Sequence, residues 1–314
     1  MQRIIELMIS SGESGVNLAL FILLPVMVIM MALMRVLDDK GFLKTIAVKL
    51  SPLLILFGLP GLGVFAILQI LFISFAAPIA TLKIADQDES ITNRRIAATL
   101  AAILPMSQAN ATFPLAVVGL NLPITMLTSV LGGLLSGFLA YKFAGEDTED
   151  HVKKVKNEGV SLKEEKKKSK IIQSLFRGGE EGLQIVLKAI PPLVLSIFAV
   201  NILREIGAIS LVESLLSPLL VRVGVPGIAV LPMATKYLAG GTAMMAITME
   251  LLAEGSMTAV ELNRIAGFTI NTFDAVGLAL LLSSGPRVSA VAKPAIKAAL
   301  IGILFRGILH LIIF

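Results

Sequence analysis

The sequence predicts an all-α polytopic membrane protein built from two inverted repeats, each with about three full spans, an interfacial helix and a re-entrant helical hairpin. Three observations carry that expectation. Hydrophobic residues make up 56% of the chain and charged residues only 16%, outside the range of soluble globular domains. Charge-free runs cover 21 residues (14–34) and 46 residues (96–141), and one helical crossing takes only ~20. The longer run is interrupted by "GLNLP" (119–123), which suits two spans joined by a tight turn. Finally, the chain repeats itself. "GESGVNLALFILLP" (12–25) aligns with "GEEGLQIVLKAIPP" (179–192), and "LSPLLILFGLPG" (50–61) aligns with "LSPLLVRVGVPG" (216–227). "NRRIA" (93–97) resembles "NRIAG" (263–267). Several collinear matches indicate duplication. They divide the chain into a first repeat (1–144), a charged linker (145–177) and a second repeat (178–314).

Taken in order, each half opens with a span, 16–34 and 183–203. The N-terminus "MQRIIELMISSGESG" is broken by polar residues well before any apolar core of signal type, so the first apolar segment is expected to remain as a span. "KGFLKTIAVKLSPLL" (40–54) places Lys40, Lys44 and Lys49 along one helical face, as an interfacial helix would. After a Gly-x-Pro-Gly break come segments 62–86 and 228–253. Apolar stretches with polar interruptions follow (96–118; 265–284), then a last span in each half (122–143; 295–313). The linker stretch "GEDTEDHVKKVKNEGVSLKEEKKKSK" (145–170) holds eight lysines and seven acids and reads as solvated. It is expected on the cytoplasmic side of a plasma or inner membrane.

Segments 62–86 and 228–253 could each cross once or dip in and return. Lysine and arginine favour the cytoplasmic side, so the two options can be scored. With hairpins, loops 35–49 and 83–95 are cytoplasmic and carry Arg35, Lys40, Lys44, Lys49, Lys83, Arg94 and Arg95. Loops 204–222 and 254–264 are then external, where Arg204, Arg222 and Arg264 are opposed by Glu205, Glu213, Glu254 and Glu261. Loop 287–297, with Arg287, Lys293 and Lys297, returns inside. A continuous span would put the four positive charges of loop 35–49 outside, so the hairpin is preferred. Three crossings per half is an odd number, which inverts the second half relative to the first, as in many secondary transporters. Hairpin tips carry polar backbone and must be buried in protein or line a cavity.

That placement selects candidate site residues. The tip of the second hairpin is "KYLAGGT" (236–242), with Gly240-Gly241 at the reversal; the tip of the first is "SFAAP" (74–78), with Pro78 ending one arm. Ionisable groups inside a membrane are costly and call for a partner, a cavity or a function. Lys236 is therefore a candidate ligand contact, with pairing to Asp274 or snorkelling to an interface as the structural alternatives. Tyr237, Thr242 and Ser74 share the tips. Asn271, Thr272 and Asp274 lie in the interrupted span of the second half. Pro105 breaks its counterpart and leaves Ser107, Gln108, Asn110 and Thr112 as hydrogen-bonding groups. Interhelical bonding accounts for each polar residue singly; their coincidence at both breaks points to a polar site near the midplane. Asp274 and broken-helix carbonyls suit Na⁺ or H⁺ as a coupling ion, and no other cofactor is expected. Arg306 and His310 read as structural groups near the outer end of the last span.

Cysteine is absent, which excludes disulfides and thiolate sites. His151 and His310 do not make a metal centre, and the thirteen methionines have no thiolate or histidine to support a copper path. No nucleophile–base pair, phosphate loop or metal-ligand spacing occurs, so an enzyme is not expected. The net charge of +5 sits mostly in loops and speaks to orientation before nucleic acid. The expected partners are a small-molecule solute and the lipid bilayer, with no nucleic acid; a homo-oligomer is compatible with the sequence.

The glycine–acid–glycine starts (12–15; 179–182), the spans holding Pro25 and Pro192, Gly41-Phe-Leu, Ser-Pro-Leu-Leu and Gly-Leu-Pro-Gly carry a resemblance. The chain resembles membrane proteins with nucleoside-recognition (Gate) domains. Two such domains would cover almost everything outside the linker, like a fusion of the spore maturation proteins A and B. More distantly it is similar to the concentrative nucleoside transporters, whose first hairpin tip reads Gly-Gln-Thr-Glu-Ala-Pro. The matching positions here read Ile73-Ser-Phe-Ala-Ala-Pro78, with Ser74 and Ala76 where that family has glutamine and glutamate. The resemblance implies the fold more than the substrate. It leaves two functions open: a secondary transporter of a small polar or charged, nucleoside-like solute, and a non-transporting envelope or assembly factor of the spore-maturation kind. A channel-like gate is a weaker third.

Overall fold

The computed structural model describes residues 2–74, 76–145, 171–207, 211, 220, 222 and 224–314. The linker stretch 146–170, Phe75 of the first tip and Ser217-Pro218-Leu219 of the second Ser-Pro-Leu-Leu lie outside the described residues. All regular structure among the described residues is helical.

Helix α1 (Gln2–Asp39) is continuous, with a π-helical turn at Leu18–Leu23 just before Pro25. Proline has no N–H to give to the ladder, and a widened register is one way a helix absorbs that loss. The expected span 16–34 is therefore longer at both ends. The polar run "SSGESG" stays helical because it packs on another helix, α8 (Ile171–Glu205). Ser11 is fully buried and accepts a hydrogen bond from Asn201 Nδ2 at 3.0 Å. A Cβ on Gly15 would strike Val194, and one on Gly182 would strike the backbone of Met27. Small residues let the two backbones approach closely. Helix α8 likewise begins at Ile171, twelve residues before the expected start at 183, inside the segment assigned to the linker.

Helix α2 (Phe42–Leu54) and its 3₁₀ extension end at Gly58, and α3 (Gly61–Phe72) leaves at 110° to them. On α2 Leu43 and Ala47 are buried, and the exposed face carries Lys49 together with Phe42, Val48, Leu50 and Leu53. Helices α3 and α4 (Pro78–Gln87) pack side by side. On a continuous helix Gln69 and Thr81 would stand ~18 Å apart. Here Thr81 Oγ1 donates to Gln69 Oε1 at 2.7 Å, so the segment is a hairpin. Helices α9 (Val230–Ala239) and α10 (Gly241–Ala253) also pack side by side, reversing at Gly240. The φ of +95° at Gly240 is open to glycine and strained for other residues.

Each half continues with an interrupted helix and an unbroken one. Helices α5 (Asn93–Ile103) and α6 (Ala109–Val117) flank one break, and α7 (Leu122–Phe143) follows. Helices α11 (Ala259–Thr269) and α12 (Ala275–Leu282) flank the other, followed by the short α13 (Pro286–Ala290) and α14 (Ala292–Ile313). Helices α1, α7, α8 and α14 are long and apolar enough to cross a membrane.

Contacts between distant segment ends sort into two sets. At one end Arg35 meets Glu181 (3.2 Å), Ser174 meets Asp39 (2.6 Å), Arg94 meets the Tyr141 carbonyl (3.1 Å) and Arg287 meets the Asp88 carbonyl (3.0 Å). At the other end Arg3 meets Glu205 (2.9 Å), Arg204 meets Glu254 (3.4 Å), the Asn121 N–H meets Asn263 (2.7 Å) and Arg264 meets the Gly224 carbonyl (2.7 Å). The first hairpin leaves and returns at the first end, the second hairpin at the other. Two apolar cores lie between. One joins α3, α4, α5 and the start of α14; the other joins α1, α8, α10, α11 and part of α6. Each core draws on both halves, so neither half is packed without the other.

Candidate functional site

The two helix breaks meet each other. Pro105 interrupts the first, since it can neither donate to the ladder nor fit the turn before it. In the second, Asn271 folds the chain locally: its Nδ2 donates to Phe268 O at 2.7 Å and its Oδ1 accepts from Phe273 N at 3.0 Å. Asp274 caps α12 by accepting from Gly277 N at 2.8 Å. Breaking a helix frees carbonyls and N–H groups that a buried site must satisfy. They are satisfied across the junction. Thr272 N donates to Leu104 O at 3.1 Å, Thr272 Oγ1 lies 3.0 Å from both Ile103 O and Leu104 O, and Gln108 Nε2 donates to Asn271 O at 3.2 Å.

Arg306 completes the junction. It is fully buried on α14, and its guanidinium donates to Pro105 O, to Ile270 O (3.0 Å) and to Ser107 Oγ (2.8 Å). It forms no ion pair among the described residues. Its charge rests instead on carbonyls at the C-terminal ends of α5 and α11, where the helix dipole favours a cation. Its stem runs against Gly132, where a Cβ would collide with Arg306 Cγ. The expectation that Arg306 sits near the outer end of its span is corrected: Arg306 lies at the crossing of both breaks, whereas His310 lies near the end of α14, beside Asn263. His310, one turn on, is also fully buried, with Nδ1 2.6 Å from Asn263 O and Nε2 2.8 Å from Thr128 Oγ1. Because a carbonyl can only accept, Nδ1 carries a proton; the Thr128 hydroxyl at Nε2 also lies 2.9 Å from Ile124 O.

Beside the junction the tip of the second hairpin closes a cavity of about 200 Å³. Three helix N-caps line it: Gln108 of α6, Gly240 of α10 and Asp274 of α12. Only Asp274 caps its helix through its side chain; α6 and α10 have no side-chain cap. Helix N-termini carry partial positive charge and unsatisfied N–H groups. Lys236, in the last turn of α9, is fully buried and donates to Asp274 Oδ2. The structural alternative read from sequence, a Lys236–Asp274 pair, is thus formed, with the carboxylate on the cavity side and the lysine outside the lining.

Of the residues selected from sequence, Gln108, Asn110, Thr242 and Asp274 line the cavity together with Thr272. Asn271 is buried just beneath, holding the break in shape. Tyr237 is outside the lining, with its hydroxyl donating to Phe268 O at 2.8 Å. Ser74 is outside it as well, its N–H bonded to Gln69 O at 3.1 Å. Arg306 and Pro192 join the site without having been selected. Arg306 did leave a trace in sequence, because it falls in register with Ala295, Ala298, Ala299 and Gly302 on one small-residue face of α14.

No family model matches the chain. Over 95 residues, 30% of this chain, it is 34% identical to spore maturation protein B of Bacillus subtilis (strain 168), and the match spans 53% of that relative, about half its length. Among solved structures it is similar to CNTnw, a concentrative nucleoside transporter, in an inward-facing substrate-bound state. The TM-score is 0.70 and the identity 19%, over 97% of this chain and 81% of that one. A doubly substituted CNTnw in an outward-facing state gives 0.69 at 20% identity, over 99% and 83%. The two scores are almost equal, so the similarity lies in the fold and not in one state of it.

Proposed function

We propose that this chain is a secondary transporter of a small polar solute, which binds where the second hairpin tip meets the crossing of the two helix breaks. The observation that carries this is the cavity lined by three helix N-caps drawn from both halves of the chain. Broken helices meeting at one point give a site whose polar backbone is available to a solute and whose access can be gated from either side. The two sets of end contacts fit an inverted pair of repeats with three crossings each. On this reading the end that carries Arg35 and Arg287 faces the cytoplasm of a plasma or inner membrane, the side that positive charge favours, and the lysine-rich linker belongs to that side. Asp274 is the group on which a Na⁺ or H⁺ gradient would act, because it is the carboxylate that reaches the cavity.

Reconstitution into proteoliposomes tests this. Radiolabelled solute should accumulate under an inward Na⁺ or proton gradient and fail to do so with Asp274→Asn. A solute that binds yet never accumulates under either gradient would sink the transporter reading. The likeness to spore maturation protein B favours a second reading, an envelope or assembly factor, which would take its place. The topology has its own check, since no native cysteine interferes. Single cysteines at Glu89 and Ser256 should label from opposite sides, the first from the cytoplasm. Labelling of both from one side would favour parallel repeats.

A further inference from the structure

We infer that the solute is a small zwitterion of amino-acid type, its carboxylate held by the N-terminus of α10 and its ammonium by Asp274 and the amide oxygen of Gln108. This rests on the site proposed above and specifies its chemistry. The first ladder bond of α10 runs from Met244 N to Gly240 O, at 3.1 Å. The N–H groups of Gly241, Thr242 and Ala243 thus have no acceptor among the described residues, and they leave the helix end where Gly240 and Thr242 line the cavity. Amides at a helix N-terminus suit a carboxylate.

Two side chains beside them require the opposite partner. Gln108 is only 4% exposed, and its Nε2 donates to Asn271 O. Because that carbonyl can only accept, the amide orientation is fixed. Its Oε1 is then the end left for the cavity, with no donor among the described residues. Asn110 Oδ1 is buried with no partner. A buried acceptor such as Asn110 Oδ1 is costly to leave unsatisfied, by about 1–3 kcal/mol, and the Gln108 oxygen is free to take a donor from the cavity. Asp274 has one bond at each oxygen, from Gly277 N and Lys236, and still has lone pairs to offer.

The geometry joins these demands in one ligand. A Cβ on Gly241 would strike Gln108 Nε2, and one on Gly240 would lie 3.8 Å from Asp274 Oδ1. Donors for an anion and acceptors for a cation therefore stand within a few ångströms, the reach of a carboxylate and an ammonium on a shared carbon. A purely anionic solute would meet Asp274 and the Gln108 amide oxygen; a purely cationic one would meet three uncapped N–H groups. The volume of about 200 Å³ is below the ~300–1,000 Å³ of drug-sized pockets and limits the solute to a small one.

Thermal-shift titration of the full chain in nanodiscs tests this, using the small proteinogenic amino acids, propionate, ethylamine, L-alaninamide and uridine. At least one amino acid should protect, L-alanine or L-serine being first choices. Propionate, ethylamine and L-alaninamide each lack one of the two charges and should bind at least about tenfold more weakly, the loss expected for one charge-assisted hydrogen bond. Gln108→Leu should weaken amino-acid binding about tenfold, and Gly241→Ala should remove it by placing a methyl group against the Gln108 amide. If either variant fails to fold, the analogue series on the unaltered chain still decides. Protection by uridine with none by amino acids overturns the inference, as does propionate binding as tightly as alanine, or no protection by any amino acid. Amino-acid binding without uptake leaves the inference standing and removes transport. Uptake of a solute that no amino acid displaces removes the inference and leaves transport.

Discussion

Hairpin α3–α4 ties its own arms together through Thr81 and Gln69, whereas hairpin α9–α10 is tied through Lys236 to Asp274 on a different element. The first tip is followed by Pro78 at the start of α4, which pre-sets a helical φ where no N–H is needed. The second turns at Gly240, in a conformation glycine adopts readily, and exposes uncapped amides. Both bury their apolar arms in a core shared with the opposite half. The difference shows how one plan serves two ends. The first hairpin satisfies its inner polar pair between its own arms and is anchored at its outer end, where Asp86 accepts from Val288 N at 3.0 Å and Arg287 donates to the Asp86 carbonyl at 3.1 Å, so it can act as scaffold. A hairpin whose charge is satisfied only by the neighbouring helix break is stable only while that break keeps its shape, so its packing and the cavity are one system.

The largest effect that would test this contrast comes from Lys236. Lys236→Met leaves the Asp274 side chain, 8% exposed, without its cation. Stranding one partner of a buried pair costs about 3–5 kcal/mol, so we expect a large drop in thermal stability. Adding Asp274→Asn should recover much of it, because two neutral groups replace two opposed charges. A double-mutant cycle measures the coupling directly. Near-additive, near-zero effects would mean that the lysine reaches water, and the contrast between the hairpins would fail.

Arg306 comes next and sharpens the comparison from the other side, since it holds the junction against which the second hairpin closes. Arg306→Ala removes the donor from Pro105 O and Ile270 O together. At about 1–3 kcal/mol for each of the two acceptors left unsatisfied, we expect a loss of roughly 2–6 kcal/mol. Unlike Lys236, Arg306 has no carboxylate whose neutralisation would compensate. Added methylguanidinium should restore part of the melting temperature of Arg306→Ala and leave Lys236→Met unchanged. If it restores neither, the guanidinium is not what holds the breaks together.

Much of this was legible in the sequence. Gly240-Gly241 beside a lone lysine marked the second tip, Pro105 marked one break, and the cluster Asn271, Thr272 and Asp274 marked the other, because each residue type acts on the backbone next to it. The all-helical membrane fold was legible from composition and length of apolar runs. The role of Arg306 was not, since it depends on acceptors 36 and 201 residues away, and no local pattern states which element a helix face will meet. The lengths of α1 and α8 were missed for the same reason. Polar and glycine-rich turns such as Ser11 to Gly15 look like helix ends until a partner helix supplies the packing. The position of Lys236 at the tip left a solute contact and a pair with Asp274 both open; its burial behind Asp274 follows from side-chain direction in the last turn of α9.

The smallest effect is the one that tests whether the first hairpin is scaffold alone. Thr81→Val leaves Gln69 Oε1 buried without its donor and should cost about 1–3 kcal/mol, the penalty of an unsatisfied polar group. Gln69→Leu should cost less, because Thr81 can turn its hydroxyl to the carbonyl one helical turn before it. Replacing both partners by apolar groups of similar shape should be nearly neutral. The double variant would then melt close to the unaltered chain, with a measurable coupling between the two single changes. Its solute response should be unchanged, since neither residue lines the cavity. An altered response at unaltered stability would place the first hairpin in the binding system as well, and the division of labour between the two would have to be given up.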